Sequence, residues 1–224
     1  MFKRKLSFSD YLLIIVNLIP LYGVWFEGWN AAQVFLVYCL ETVIIGIITI
    51  LKMAFVTLFI QSKNEWQNQG GSSMQSGWFF ILFFLVHYGF FVFIQTQIFF
   101  AVSGLVKGDS KLGYYTQVPA LLGNNGKLLL MIFITYYIVQ TFSDFFLNDG
   151  YKNTGLSRLM FQPYIRIFVQ QFVVIIGSMF LGFGAGKIFI LILVVTKIFF
   201  EVFINFSRML KVEERKSKKK LTKQ

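Results

Sequence analysis

The amino-acid sequence predicts an all-α fold, a polytopic transmembrane helical bundle with about six spans. Hydrophobic residues make up 56% of the 224 residues, and 29 of them are phenylalanine. This exceeds what one soluble core of that size buries. Apolar windows of the roughly 20 residues that a helix needs to cross a bilayer recur along the whole chain. The alternating pattern of a transmembrane barrel is absent, so every backbone group has to be satisfied within helices.

Six such windows are separated by short polar connections. The first window follows the basic start MFKRK, as the apolar part of a signal peptide does. No small-residue cleavage site follows LIPLYGVWF, so we expect a retained span, and Pro20 predicts a bend in it. The second and third are longer than a bilayer needs, which predicts tilt or protruding ends. We expect a single transmembrane domain over residues 1–210 and a basic tail over 211–224. The windows lie at roughly residues 8–26, 31–60, 77–106, 128–148, 163–184 and 187–210.

Lysine and arginine are unevenly divided between the two sides of this predicted bundle. One side has the N-terminal MFKRK and the tail KVEERKSKKKLTKQ, whereas the other has only Lys107, Lys111, Lys127 and Lys187. The positive-inside rule therefore predicts that both termini are cytoplasmic. The net charge of +11 is explained by this anchoring and by contact of the tail with anionic lipids, without a nucleic-acid partner. An acidic protein partner for the tail is the alternative.

Polar and ionisable side chains fall near the same depth on five of the predicted spans. With a rise of about 1.5 Å per residue, Glu41 and Lys197 each lie roughly 15 Å from the outer ends of their helices. Ionisable side chains that face lipid at mid-bilayer cost at least about 2.5 kcal/mol each, so these groups should point at one another. We therefore predict a buried polar layer in which Glu41 pairs across the bundle with Lys197. The layer comprises Glu41, Gln95, Gln140, Gln170, Gln171, Lys197 and Glu201.

Helical spacing extends this layer to further candidates. On the sixth predicted span, Lys197, Glu201 and Asn205 are four residues apart and so share one face. Glu201, on the same helix, is therefore an alternative partner for Lys197. His87 is either a proton-relay group or ligand, or a histidine satisfied by a neighbouring hydroxyl or carbonyl. The glutamines have a structural alternative, interhelical hydrogen bonds of about 0.6 kcal/mol each. The further candidates are Tyr38, Lys52, His87, Asp144, Arg166 and Asn205, and Tyr136 shares a face with Gln140 and Asp144.

Catalytic and cofactor motifs are missing from the sequence. Ser157 lies in a predicted cytoplasmic loop, away from the depth that a rhomboid-type serine would need. No glycine-rich phosphate loop or zinc motif occurs, and Cys39 stands alone, which excludes an internal disulfide. The outer loop 106–127, with its two tyrosines, predicts an interfacial segment or a cover over the outer mouth. An enzyme is therefore disfavoured, and no catalytic residue or cofactor is predicted.

Four stretches carry a resemblance to a known family. Over nearly its whole length, the chain resembles the bacterial membrane proteins grouped as domain of unknown function 6498. The stretches that carry the resemblance are NLIPLYGVWFEGWNAAQVFLVYCLETVIIGIITILKM, HYGFF, QPYIRIFV and TKIFFEVF. The family pattern has Tyr-x-x-Glu in the second span, His-Tyr-Gly in the third and Pro-Tyr-x-Arg at the start of the fifth. Here these are Tyr38 with Glu41, His87 with Tyr88 and Gly89, and Pro163 with Tyr164 and Arg166. The resemblance implies a bacterial inner-membrane protein and supplies no activity.

The chain departs from that pattern where relatives tend to carry further histidines. Gln95, Gln140 and Gln171 stand at those positions. Imidazoles beside a carboxylate would suit a metal or a haem, whereas amides are poor ligands for transition metals. We therefore expect this chain to hold no metal or haem at the polar layer.

Two functions from different classes fit these observations. The first is a protein whose mid-bilayer layer binds or translocates an ion, a proton or a small polar solute, as the buried charges favour. The alternative is a non-catalytic accessory subunit or assembly factor of a larger membrane complex, with other membrane protein subunits as partners. The small size and short loops favour this alternative.

Overall fold

The computed structural model describes residues 8–60, 65–68, 71–74, 76–103, 114–147, 150–153 and 155–204. It is predominantly helical, as the sequence predicts, with one short hairpin. Helices α2, α5 and α8 each continue into a π-helical turn, Val56–Ile60, Phe142–Leu147 and Phe199–Ile204 respectively. The helices are α1 (Phe8–Phe26), α2 (Ala31–Phe55), α3 (Gly77–Ser103), α4 (Tyr114–Leu121), α5 (Gly123–Thr141), α6 (Gly150–Asn153), α7 (Leu156–Gly182) and α8 (Gly186–Ile198).

Each apolar window of the sequence contains a helix, the one in the sixth window being only 13 residues long before its π-helical turn, and the other main differences lie at helix starts. α1 is continuous through Pro20. α5 begins at Gly123, before the predicted start at 128, because Gly123 adopts φ +59 and ends the short helix α4 there. α7 begins at Leu156, before the predicted start at Pro163, because Leu156 and Met160 are one turn apart and both buried. The ends of the third and sixth windows, 104–106 and 205–210, lie outside the described residues.

A short antiparallel hairpin joins α2 to α3. β1 (Glu65–Asn68) pairs with β2 (Gly71–Met74), with Glu65 opposite Met74 and Asn68 opposite Gly71. The segment EWQN followed by QGGSSM is polar and contains two glycines, which favour a tight turn. The two strands on either side of the turn then satisfy each other's backbone hydrogen bonds. The hairpin was not predicted from the sequence, in which only the apolar windows carried a periodic pattern.

Helix α2 is the centre of the bundle and packs against α1, α3, α5, α7 and α8. Its first half belongs to one apolar core, in which Phe35 lies against Phe99 and Phe189 with ring centroids 5.1 and 4.9 Å apart. Its last residues belong to a second core around Met53 and Val56. Between them, α3 comes close: a Cβ on Gly46 would lie 2.7 Å from the ring of Tyr88. Glu41 lies on the part of α2 that belongs to the first core, between Cys39 and Ile45.

The outer faces of the helices are apolar. On α1, Tyr11, Ile15, Leu18 and Tyr22 recur at steps of three or four and are each more than two-fifths exposed. Among the described residues, three helical segments are long and apolar enough to cross a membrane. They are Ala31–Ile60, Gly77–Ala101 and Gly123–Leu147. Exposed apolar surface on this scale indicates a membrane protein.

Candidate functional site

An ion pair between Glu41 and Lys197 lies inside the bundle, as the matching depths predicted. The Nζ atom of Lys197 on α8 donates to both carboxylate oxygens of Glu41 on α2. The hydroxyl of Tyr137 on α5 donates to Oε1 of the same carboxylate. Glu41 is 1% exposed and Lys197 is 9% exposed, so both charges face protein rather than the outer surface. Three helices thus meet at one carboxylate.

The ammonium group of Lys197 is also covered by two aromatic rings. Its Nζ atom lies 4.7 Å from the ring centroid of Tyr38 and 4.9 Å from that of Phe133. The two rings are themselves in contact, with centroids 5.4 Å apart. Ring faces carry negative potential and attract a cation, by about 2 kcal/mol or more where water is excluded. The ammonium group therefore has two aromatic rings as favourable neighbours in addition to the Glu41 carboxylate.

A polar contact extends the site to α1. The Tyr38 hydroxyl donates to Oδ1 of Asn17 over 3.5 Å, and Nδ2 of Asn17 donates to the carbonyl of Leu13 at 2.8 Å. Glu201, half-buried in the turn after α8, acts electrostatically on the same tyrosine. A second carboxylate is thus within electrostatic range of the site.

Helical spacing explains why these side chains converge. Tyr38 and Glu41 are three residues apart on α2, and Phe133 and Tyr137 are four apart on α5, so each pair shares a face. Lys197 is in the last turn of α8, just before the helix continues into its π-helical turn. Because α2 packs against both α5 and α8, the two faces and the lysine meet.

Gln95 on α3 is the least satisfied member of the predicted layer. It is fully buried, and its amide lies near the thiol of Cys39, but neither its Oε1 nor its Nε2 makes a well-formed hydrogen bond within the described part of the chain. On α7, the buried Oε1 of Gln171 likewise has none there. Interhelical hydrogen bonding, the structural alternative for the glutamines, is therefore not seen at these atoms. Unsatisfied buried amides are rare and mark places where a water or a polar solute is needed.

The other predicted residues have varied positions. Gln140 is half-buried, Asp144 is exposed, and Lys52 lies 5.7 Å from the ring centroid of Phe145. Gln170 and Arg166 are on α7, but their side chains lie outside the description, as does Asn205 altogether.

His87 meets a hydroxyl, which was one of its two predicted environments. Its Nδ1 and the Tyr164 hydroxyl are 2.9 Å apart, joining α3 to α7. His87 is exposed on the outer face of α3, so it does not belong to the Glu41 site.

The sequence did not predict Tyr137, Phe133 or Asn17 as members of the site. Tyr136 was predicted on an inward face and is buried, but it is the neighbouring Tyr137 that reaches Glu41. Both tyrosines are buried and adjacent, so the hydrophobic pattern of α5 does not distinguish them. Tyr137 is four residues from Phe133 and therefore shares its helix face. That spacing would have favoured Tyr137 only if aromatic contacts to Lys197 had been predicted.

The outer tyrosines pack on α3. Tyr114 contacts Phe100 with ring centroids 5.4 Å apart, and the Tyr115 hydroxyl accepts from Nε2 of Gln97 at 3.0 Å. α4 thus lies along the end of α3, and whether it borders lipid headgroups stays a prediction.

Comparison with known proteins gives a family and no more. A family model described as a family of unknown function, DUF6498, matches residues 1–223. No curated protein and no solved structure gives a significant match. Within the described residues, no group of three histidine, cysteine, aspartate or glutamate side chains is arranged to hold a metal ion.

Proposed function

The chain belongs to the family of unknown function DUF6498, and we propose that it binds a proton or a small cation at Glu41 and moves it across the membrane. The observation that carries this proposal is the buried pair of Glu41 and Lys197, to which Tyr137 adds a hydrogen bond. An ionisable group within a membrane bundle usually marks a pathway or site. A buried ion pair contributes little net stability compared with well-packed apolar residues, so stability alone is a weak explanation for this pair.

Lys197 supplies a built-in counter-ion for an exchange cycle. In one state its ammonium neutralises the Glu41 carboxylate, as observed. In the other, a proton or cation occupies the carboxylate and the ammonium keeps only its contacts with the rings of Tyr38 and Phe133. The rings replace the carboxylate only in part, so this second state is higher in energy and less populated. Binding of the proton or cation to Glu41 supplies the free energy that populates it.

Gln95 and Gln171 support a path for the transported species. Their unsatisfied amide atoms are buried on α3 and α7, on two further sides of α2. A water chain or a dehydrated cation would satisfy amide oxygens of this kind, since hard cations prefer oxygen ligands.

We further propose that the six long helices all span the membrane, with both termini in the cytoplasm. The lysine and arginine distribution of the sequence supports this orientation. Single cysteines replacing Lys63, Ser110 and Thr154 in a Cys39→Ala background should react with a membrane-impermeant reagent in intact cells only at Ser110. Reaction at Thr154 would contradict the arrangement.

Infrared difference spectroscopy of the reconstituted protein tests the exchange at Glu41. As the pH is lowered, the carboxylate band of Glu41 should be replaced by a protonated-carboxyl band, because the proton takes the place of Lys197. The change should vanish in Glu41→Gln and persist in Glu27→Gln, which makes the same substitution at an exposed residue beyond α1. A spectrum identical in wild type and Glu41→Gln across the titration would contradict proton binding at Glu41.

A further inference from the structure

A groove on the outer face of α3 is separate from the Glu41 site. It has a volume of about 560 Å³, and almost all of its surface is apolar. A groove of this size accommodates a ring with part of a chain. Its single ionisable member is a histidine, and the lining residues are Phe83, Val86, His87, Gly89, Phe90 and Phe93.

The imidazole of His87 is held in one orientation. Its ring stacks on Phe83, with centroids 5.2 Å apart and an angle of 15° between the planes, and Phe91 meets it edge-on at 5.1 Å. Nδ1 lies 2.9 Å from the Tyr164 hydroxyl. When that hydroxyl donates to Nδ1, the neutral imidazole carries its proton on Nε2. Among the described residues, Nε2 has no partner for that proton.

The depth of His87 decides which molecules can reach Nε2. His87 is ten residues from the start of α3, which is about 15 Å along the axis and near the middle of a hydrocarbon core of about 30 Å. A donor exposed to hydrocarbon without an acceptor is unfavourable. Lipid headgroups are too far away to supply one. The acceptor therefore belongs to a molecule that dissolves in the membrane interior.

We infer that this groove binds a lipid-soluble quinone. A ring carbonyl accepts from Nε2 of His87, and the flat ring lies against Phe90 and Phe93 by stacking. Gly89 leaves the space for it, since a Cβ there would meet nothing within 4 Å. The apolar tail of the quinone continues along α3 into the lipid. A fatty acid fits less well, because no lysine or arginine lines the groove to pair with its carboxylate.

Binding of decylubiquinone to the full-length protein in quinone-free vesicles tests this inference. We expect saturable quenching of tryptophan fluorescence, with Trp78 on the same helix. His87→Phe keeps the stacking and removes the donor, and Gly89→Leu fills the groove at a position with free space. Each should weaken binding by at least about tenfold, equivalent to about 1.4 kcal/mol. Leu85→Phe, which adds bulk on the exposed surface of α3 outside the groove, should have no effect.

Several outcomes would overturn the quinone site. They are quenching that rises without saturation, or saturable binding that neither His87→Phe nor Gly89→Leu weakens. A change of oligomeric state in Gly89→Leu would show that a second copy of the chain occupies the groove instead. None of these results bears on Glu41, since the two sites share no residue.

Discussion

Removing either partner of the Glu41–Lys197 pair should lower the free energy of unfolding by about 3 to 5 kcal/mol, because it leaves the other charge buried and unpaired. Glu41→Gln keeps the size of the side chain, and Lys197→Met keeps most of its length. The double variant removes both charges of the pair, so neither is left unpaired, and it should recover much of the loss. Denaturant titration of the purified protein in mixed micelles measures all four states of this double-mutant cycle.

The size of the coupling is the informative quantity in that cycle. Residues in direct contact give interaction energies of about 0.5 to 3 kcal/mol, whereas independent sites add within a few tenths. Glu27→Gln combined with Lys197→Met is the matched control, because Glu27 is exposed and lies outside the site. That control should be additive. Additive losses for Glu41→Gln and Lys197→Met as well would show that the pair does not form in the membrane.

The sequence predicted the helices well because hydrophobic length is a local property. Each apolar window contains a helix, and three of these helical segments are long and apolar enough to cross a membrane within the described residues. The largest differences in helix starts are at Gly123 and Leu156. The pairing of Glu41 with Lys197 was also predictable, because helices that cross one bilayer share a depth scale. Depth and charge together leave few partners for a buried carboxylate.

The remaining features depend on rotation and packing, which depth does not fix. The choice of Tyr137 over Tyr136 requires the rotation of α5 about its axis. Depth predicted Gln95 as a member of the layer, but its lack of well-formed hydrogen bonds depends on what its neighbours present. His87 is exposed on the outer face of α3, so its contact with Tyr164 required the packing of α3 on α7.

Two of the motifs that carry the family resemblance meet at this contact. His87 comes from the His-Tyr-Gly stretch and Tyr164 from the Pro-Tyr-x-Arg stretch, which are far apart in the sequence. The third motif contributes Tyr38 and Glu41 to the buried site. The motifs therefore divide between the two candidate sites.

Ion flux into sealed vesicles containing the purified protein tests the proposed translocation most directly. A proton, sodium or potassium gradient should drive a flux above that of protein-free vesicles. Glu41→Gln should reduce that flux to the protein-free level, because it removes the group that binds the ion, while Glu27→Gln should leave it unchanged. Wild-type flux equal to the protein-free level for all three gradients, or unaltered flux in Glu41→Gln, would contradict the account. The buried pair would then be a structural link, as expected for an accessory subunit.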